Sequence, residues 1–240
     1  MKRIIHWFRR DLRLSDNTAL SEAGRHAQHV IPVFIVEEAL RTGPDVGAAR
    51  LTFLLGSLAR LRESLRAHGS ELVIRNGRSE LEIPKLAREL KVEAVFCNTR
   101  YEPYAQKRDG RIFNALNETG VGFESFKDAV VWHEQDILTQ AARPFTVFTP
   151  YAKAWNARKV PAPRSNIDPS KLRLPEAIRT EEPPLDSDAF GFPCSQNIFE
   201  AGEAAARRVF DHFLREKLLN YAATRDRTDL DGTSHLSAHL

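Results

Sequence analysis

Three arginines and two aspartates crowd one short stretch near the amino terminus, Trp7-Phe8-Arg9-Arg10-Asp11-Leu12-Arg13-Leu14-Ser15-Asp16-Asn17. At that density guanidinium groups fork onto carboxylates, and Arg–Asp pairs are expected to hold the stretch as a turn. An apolar run, Ile4 to Phe8, precedes it, and a helical pattern from Asn17 to Ala23 follows, with Gly24 as its expected stop and Ser15 or Asp16 as its cap. A strand-to-helix turn of this kind lies at the carboxyl edge of a sheet, where open α/β sheets bind ligands. It lacks the glycines that let a backbone approach a pyrophosphate.

A second polar group, Cys97-Asn98-Thr99-Arg100-Tyr101-Glu102-Pro103-Tyr104, also follows an apolar run and so sits at another strand end. Other combinations carry no recognisable chemistry. His26, His29 and His68 lack metal-ligand spacing, and His133-Glu134-Gln135-Asp136 reads as a solvated turn. No nucleophile has a base nearby, and there is no G-x-x-x-x-G-K-[ST] phosphate loop. Cys97 and Cys194 are far apart, which excludes a disulfide framework and fits a reducing, cytoplasmic setting.

The elements that position these residues alternate up to Phe126. Strands are expected at Ile4–Phe8, Val30–Val36, Leu72–Arg75, Ala94–Asn98 and Phe123–Phe126. Most are continuous apolar runs, as in strands covered on both faces. Between them, Leu51, Leu54, Leu55, Leu58, Leu61 and Leu65 mark one face of a helix from Ala48 to Ala67, stopped by His68-Gly69. Ser79-Glu80-Leu81-Glu82 reads as a capping box for a helix reaching Leu90, and another helix spans Tyr104 to Asn117. The pattern predicts a Rossmann-like, doubly wound α/β domain on a five-stranded parallel sheet over residues 1–130. A closing segment at 131–158 would complete it. Seven of the chain's 13 prolines fall at 159–200, Pro161, Pro163, Pro169, Pro175, Pro183, Pro184 and Pro193 among them, which predicts an interdomain linker. From 201 to 240 an all-helical domain would begin, with Ala206, Phe210, Phe213, Leu214, Leu218 and Tyr221 on one face. The net charge of +3 permits nucleic-acid binding without arguing for it, and no apolar run reaches membrane-spanning length.

Four strings resemble the DNA photolyase/cryptochrome family. They are the W-F-R-x-D-L-R-L-x-D-N opening at Trp7–Asn17, N-x-x-Y-E-P-Y at Asn98–Tyr104, V-F-T-P-[FY]-x-K-A-W at Val147–Trp155, and G-T-S-[RH]-L-S-[PA]-x-L at Gly232–Leu240. The resemblance implies a light-harvesting antenna (a folate, a deazaflavin or FMN) at the carboxyl edge of the sheet. Glu102 would bond the chromophore ring, Phe34 would stack on it, and Arg50, Asn98 and Arg100 would be further contacts. A carboxylate acceptor suits the ring N–H groups of a pterin or deazaflavin. It also implies part of an FAD site at Tyr221, Thr233, Ser234, His235, Leu236 and Ser237, where short hydroxyls and turn N–H groups would cradle phosphate. His235 stands where the family often has arginine. Trp7, Trp132 and Trp155 match no part of the family's electron relay.

The resemblance covers essentially the whole chain but about half of a family protein. It implies the amino-terminal part of a deoxyribodipyrimidine photolyase that splits cyclobutane pyrimidine dimers in damaged DNA, with a helical carboxyl-terminal domain as the missing partner. A cryptochrome-type blue-light receptor and a stand-alone nucleotide-type binding module are the alternatives. The apolar face at 205–221, lacking its cover, would favour self-association.

Overall fold

A computed structural model describes residues 1–37, 40, 47–174, 178–182, 188, 191 and 199–239. Five parallel strands, β1 (Arg3–Phe8), β2 (His29–Val36), β3 (Val73–Asn76), β4 (Ala94–Asn98) and β5 (Gly122–Phe126), line up in the order β3-β2-β1-β4-β5. Alternate residues of each strand face opposite ways. Ile4, Phe8, Val30, Phe34 and Phe96 pack against α1 (Thr18–His26) and α2 (Ala48–Ala67). Ile5, Trp7, Ile31, Val33 and Val95 pack against α3 (Ser79–Glu89) and α4 (Pro103–Asn117). Because both faces are covered, β1, β2 and β4 carry almost unbroken apolar runs. Leu51, Leu55, Leu58, Leu61 and Leu65 of α2 are buried as expected, and Gly69 at φ +73 takes the left-handed turn that ends that helix.

Three local expectations fail for tertiary reasons. The cap of α1 is Asn17, whose side chain accepts from Leu20 N at 3.1 Å, while Asp16 (φ 48) turns outward to accept from Arg164 N at 2.6 Å. Gly24 does not stop α1, which continues to His26. A side chain at Gly24 would meet Ile167, the added Cβ lying 2.6 Å from Ile167 Cγ1. Ser79 forms no capping box. Arg78 is the cap residue, and the Ser79 hydroxyl donates to the Glu37 carboxylate instead.

The described parts of the proline-rich stretch lie against the sheet domain. Ile167 and Leu172 enter the core on the α1/α2 side, Leu172 from the one-turn helix α6 (Pro169–Leu172), and Leu174 and Ile178 pack on the other side. Next, Thr180 Oγ1 accepts from Ile74 N at 2.9 Å and donates to Leu72 O at 3.0 Å, and Glu181 N donates to Ile74 O at 3.0 Å. These bonds satisfy backbone groups that the edge strand β3 would otherwise expose. Pro175, Pro183, Pro184, Pro193, Cys194 and Leu240 lie outside the described residues.

The closing segment holds an exposed helix, α5 (Phe148–Asn156), with no buried residue. The tail forms α7 (Glu203–His212), widens to π geometry over Phe213–Lys217, tightens over Leu218–Asn220 and ends in α8 (Tyr221–Thr224). The start of α7 docks on α2, where Gly56 and Gly202 leave room only for Ala201 and Arg60. Phe210, Leu214, Leu218 and Tyr221 remain exposed, so the expected apolar face has no cover among the described residues.

Candidate functional site at the carboxyl edge of the sheet

The strand order reverses direction at β1, so the crevice beyond the carboxyl ends of β1 and β4 is the expected ligand position for this topology. Here the chain's own side chains fill it. Asn98, the last residue of β4, donates to Asp11 Oδ2 at 2.6 Å and to Asn17 Oδ1 at 2.8 Å, and its Oδ1 accepts from Ala19 N at 2.9 Å. Asp11 also accepts from Arg9 N at 2.8 Å and from Asn17 Nδ2 at 3.2 Å. Arg9 binds Asp109 Oδ2 at 2.7 Å and the carbonyl of Asn98. The guanidinium groups of Arg9 and Arg108 each lie 4.8 Å from the Trp7 ring centroid.

The turn is therefore held, but not by the expected pairs. Its arginines reach carboxylates on distant elements: Arg9 to Asp109 of α4, and Arg13 to Asp128 Oδ2 at 2.8 Å. Asp128 Oδ1 also accepts from Thr18 N at 3.0 Å, which ties the start of α1 to the loop after β5. Asp109 and Asp128 carried no signal in the sequence, since neither belongs to a distinctive string. Asp11 takes mainly amide donors.

Behind this plug lies His6, fully buried, with neither ring nitrogen hydrogen-bonded and Nε2 3.9 Å from Asp11 Oδ2. Burial lowers its pKa to about 4. The Asp11 charge opposes that shift, and those of Arg9 and Arg13 reinforce it. Burial alone would raise the Asp11 carboxyl. The His6 interaction and the N–H donors of Arg9 and Asn98 outweigh it and hold Asp11 below the ordinary carboxylate range.

Outside the plug is a cation-rich group. Glu102, the cap residue just before α4, accepts from Arg100 Nε at 3.1 Å and again from its Nη2, and Arg10 Nη1 lies 3.4 Å away. The bond from Arg100 holds the Glu102 carboxyl low. Partial burial, with the charges of Arg100 and Arg50, depresses the Arg10 guanidinium, while Glu102 opposes the effect. Arg10, Arg50, Arg100 and Glu102 thus share one electrostatic neighbourhood. Its acceptor can receive ring N–H groups, and its cations suit an anionic ligand.

Of the sequence-derived contacts, Arg100 and Glu102 come together directly, and the charge of Arg50 is felt weakly at Arg10. Asn98 stands apart because both its amide hydrogens serve the plug. Phe34 is a core residue, 5% exposed and in register with Phe8 and Ile74. Arg10 joins the group without having been singled out, although it lies in the opening string.

The tail residues form a separate surface. Lys217 Nζ binds Asp231 Oδ2 at 2.7 Å and Thr233 O at 3.3 Å. Ser234 Oγ accepts from Leu236 N at 3.3 Å, and His235 Nε2 lies 2.7 Å from Asp231 Oδ1. Tyr221 meets Phe213 edge to face. The two serine hydroxyls and Lys217 suit a phosphate; Thr233, Ser234 and Leu236 are half-buried, His235 and Ser237 are exposed, and the Phe199 ring lies 5.7 Å from that of His235. A cavity of about 380 Å³ lies elsewhere, between Leu12, Leu14, α2 and the start of α7. The described residues contain no cluster that could hold a metal ion and no helix long and apolar enough to cross a membrane.

Comparison with known proteins agrees with the fold. A family model described as DNA photolyase matches residues 4–168. An uncharacterized 31.6 kDa protein from Synechococcus sp. (strain PCC 6716) is 35% identical over 98% of this chain and 83% of its own length. A deoxyribodipyrimidine photo-lyase from Synechococcus sp. (strain ATCC 27144) is 32% identical over 99% of this chain. The chain spans about half the length of that enzyme and of the other curated photolyases it matches. The crystal structure of a class III photolyase from Agrobacterium tumefaciens superimposes with a TM-score of 0.84 at 30% identity, over all of this chain and 51% of that one. An archaeal photolyase from Sulfolobus tokodaii, described with two FAD molecules, gives 0.76 at 25% identity. The family-model match over 4–168 and these relatives, with the five-stranded sheet they share, make the chain a member of the DNA photolyase/cryptochrome family.

Proposed function

We propose that this chain is the antenna-binding part of a light-driven deoxyribodipyrimidine photolyase, acting on cyclobutane pyrimidine dimers in damaged DNA. The observation that carries the reading is the convergence of Arg10 and Arg100 on Glu102 at the sheet edge of a chain that matches the DNA photolyase family model over 4–168. When bound, the antenna supplies excitation energy and the reduced FAD supplies the electron that splits the dimer. The residues here bind and orient. Glu102 receives ring N–H groups, Arg100 fixes that carboxylate, and Arg10 and Arg50 supply positive charge. Thr233, Ser234 and Ser237, with Lys217, hold part of an FAD phosphate site that a helical carboxyl-terminal half would complete.

Fluorescence titration of the purified chain with FMN, a deazaflavin and a reduced folate tests the reading. One of the three should bind weakly, and Glu102→Gln should weaken it about 10-fold, the effect of one charge-assisted contact, with the melting temperature unchanged. Tight ATP binding with none of the three would instead support a stand-alone nucleotide-type module. These 240 residues should not repair dimer-containing DNA under blue light, and measurable repair would refute the assignment to the antenna part. A cryptochrome reading has one observation in its favour, a relative named cryptochrome DASH from Natronomonas pharaonis at 29% identity. Dimer repair by a longer protein containing this chain would decide against it.

A further inference from the structure

The rim acceptor Glu102 is carried by a short loop between β4 and α4, and a site on a loop is placed only as well as its supports hold it. Thr99 N donates to Phe126 O at 2.7 Å, which pins the start of the loop to β5. Arg100 and Glu102 bind each other, so they fix their own spacing and not their place on the domain. Arg10 reaches in from the opening turn, but at 71% side-chain exposure its pair with Glu102 is solvated and weak. Tyr101 lies between the two partners. Its hydroxyl meets His133 Nδ1 at 2.9 Å, a bond to the segment that follows β5.

That segment is itself anchored at both ends. Asp128 Oδ2 holds Arg13 at 2.8 Å, and its Oδ1 accepts from Thr18 N at 3.0 Å. Asp136 Oδ2 accepts from His133 N at 2.8 Å and from Lys127 Nζ at 2.9 Å, so one carboxylate closes the turn and ties it back to the end of β5. Along the sequence His133–Asp136 is a solvated turn; in the fold it presents an imidazole to the rim loop. Burial, reinforced by the charges of Glu134, Asp136 and Asp128, raises the Tyr101 phenol above its ordinary pKa. The phenol therefore keeps its proton and donates it to Nδ1, which assigns the ring proton of His133 to Nε2.

We propose that Tyr101 and His133 are positioning residues of the rim site. The imidazole, fixed by the closing turn, holds the phenol, and the phenol holds the backbone that carries Arg100 and Glu102 in the geometry a ligand ring would meet. The segment after β5 thus preorganises the site within this chain. Neither residue needs to touch the ligand. The inference rests on the chromophore reading only for what binds at the rim.

Nuclear magnetic resonance of the ligand-free chain tests the arrangement through solvent exchange of the Arg100 Nε–H, which Glu102 accepts. Tyr101→Phe keeps the ring and removes the donor, and it should speed that exchange about 3-fold or more, the worth of one neutral hydrogen bond. His133→Ala should do the same, and Tyr101→Phe/His133→Ala should be no worse than either alone, because the two side chains act through one bond. His133→Asn, whose Oδ1 can stand where Nδ1 stands, should restore the wild-type rate. Tyr104→Phe removes an exposed hydroxyl from the same string and should leave the rate unchanged. Titration with FMN, a deazaflavin and a reduced folate should rank the variants in the same order, with losses in Kd of about 3-fold to 10-fold. Unchanged Arg100 exchange in Tyr101→Phe, additive losses in the double variant, no recovery in His133→Asn, or an equal gain in exchange at the amides of β1 would each overturn the proposal. If none of the three ligands binds the wild type, the chromophore reading fails and the exchange rates still decide this one. If a ligand binds and Tyr101→Phe leaves the exchange unmoved, only the positioning role falls.

Discussion

Asn98 donates to Asp11 at 2.6 Å across the gap between the carboxyl ends of β4 and β1. That bond closes the crevice in which this topology ordinarily holds its ligand. The opening arginine–aspartate string is the outer half of the closure, and the rim beyond it carries Arg10, Arg100 and Glu102, the proposed ligand contacts.

Asn98→Ala should therefore act on stability. It leaves Asp11 Oδ2, Asn17 Oδ1 and Ala19 N short of partners at a buried position. A loss of about 2–4 kcal/mol is expected from the unsatisfied groups, read by urea denaturation. Chromophore affinity measured well below the melting temperature should stay within about 2-fold, since a smaller change than 0.5 kcal/mol is expected without a direct contact. A selective loss of affinity at unchanged stability would restore Asn98 as a ligand contact.

His6 makes stability depend on pH. Its pKa is about 4 in the folded chain against 6.5 ordinarily, so the unfolded state binds the proton first as pH falls. The contribution is present above pH 6.5 and is lost as pH falls through the folded value near 4. Its full size is about 3 kcal/mol. Asp11, with its carboxyl held low, acts in the same direction below the ordinary carboxylate range. Unfolding free energies between pH 7 and pH 4.5 should fall more steeply for the wild type than for His6→Leu, and parallel curves would contradict this.

Gly24 and Ile167 form a contact whose sign can be reversed. Gly24→Ala gains about 1 kcal/mol of helix propensity, but its Cβ would lie 2.6 Å from Ile167 Cγ1, an overpacking cost of about 1–3 kcal/mol. The substitution should destabilise the wild type and stabilise an Ile167→Ala background. The same sign in both backgrounds, measured by thermal unfolding, would exclude the contact.

Thr180 joins the proline-rich strap to the sheet edge. Thr180→Ala removes the bonds to Ile74 N and Leu72 O and should destabilise by about 1–2 kcal/mol. The Ile74 amide should lose hydrogen-exchange protection while amides of β1 keep theirs. Unchanged exchange at Ile74 would mean that the strap does not guard β3.

The sequence by itself determined the strands, the helices and the family. Their signals are local: apolar runs where both sheet faces are covered, a 3.6-residue leucine period in α2, and contiguous strings such as Trp7–Asn17. It also brought Arg100 and Glu102 together, because two residues of spacing at a helix start leave them little choice. Only the tertiary structure decided which partners the polar groups take. Asp109 and Asp128, rather than the turn's own aspartates, receive Arg9 and Arg13. Asn17 caps α1 because Asp16 is drawn to Arg164. Gly24 admits Ile167 rather than ending a helix, and Thr180 closes an edge that begins more than a hundred residues earlier. Periodicity reports whether a side chain faces water or core. The identity of a buried partner depends on which distant elements the sheet order sets side by side, and no local pattern encodes that order.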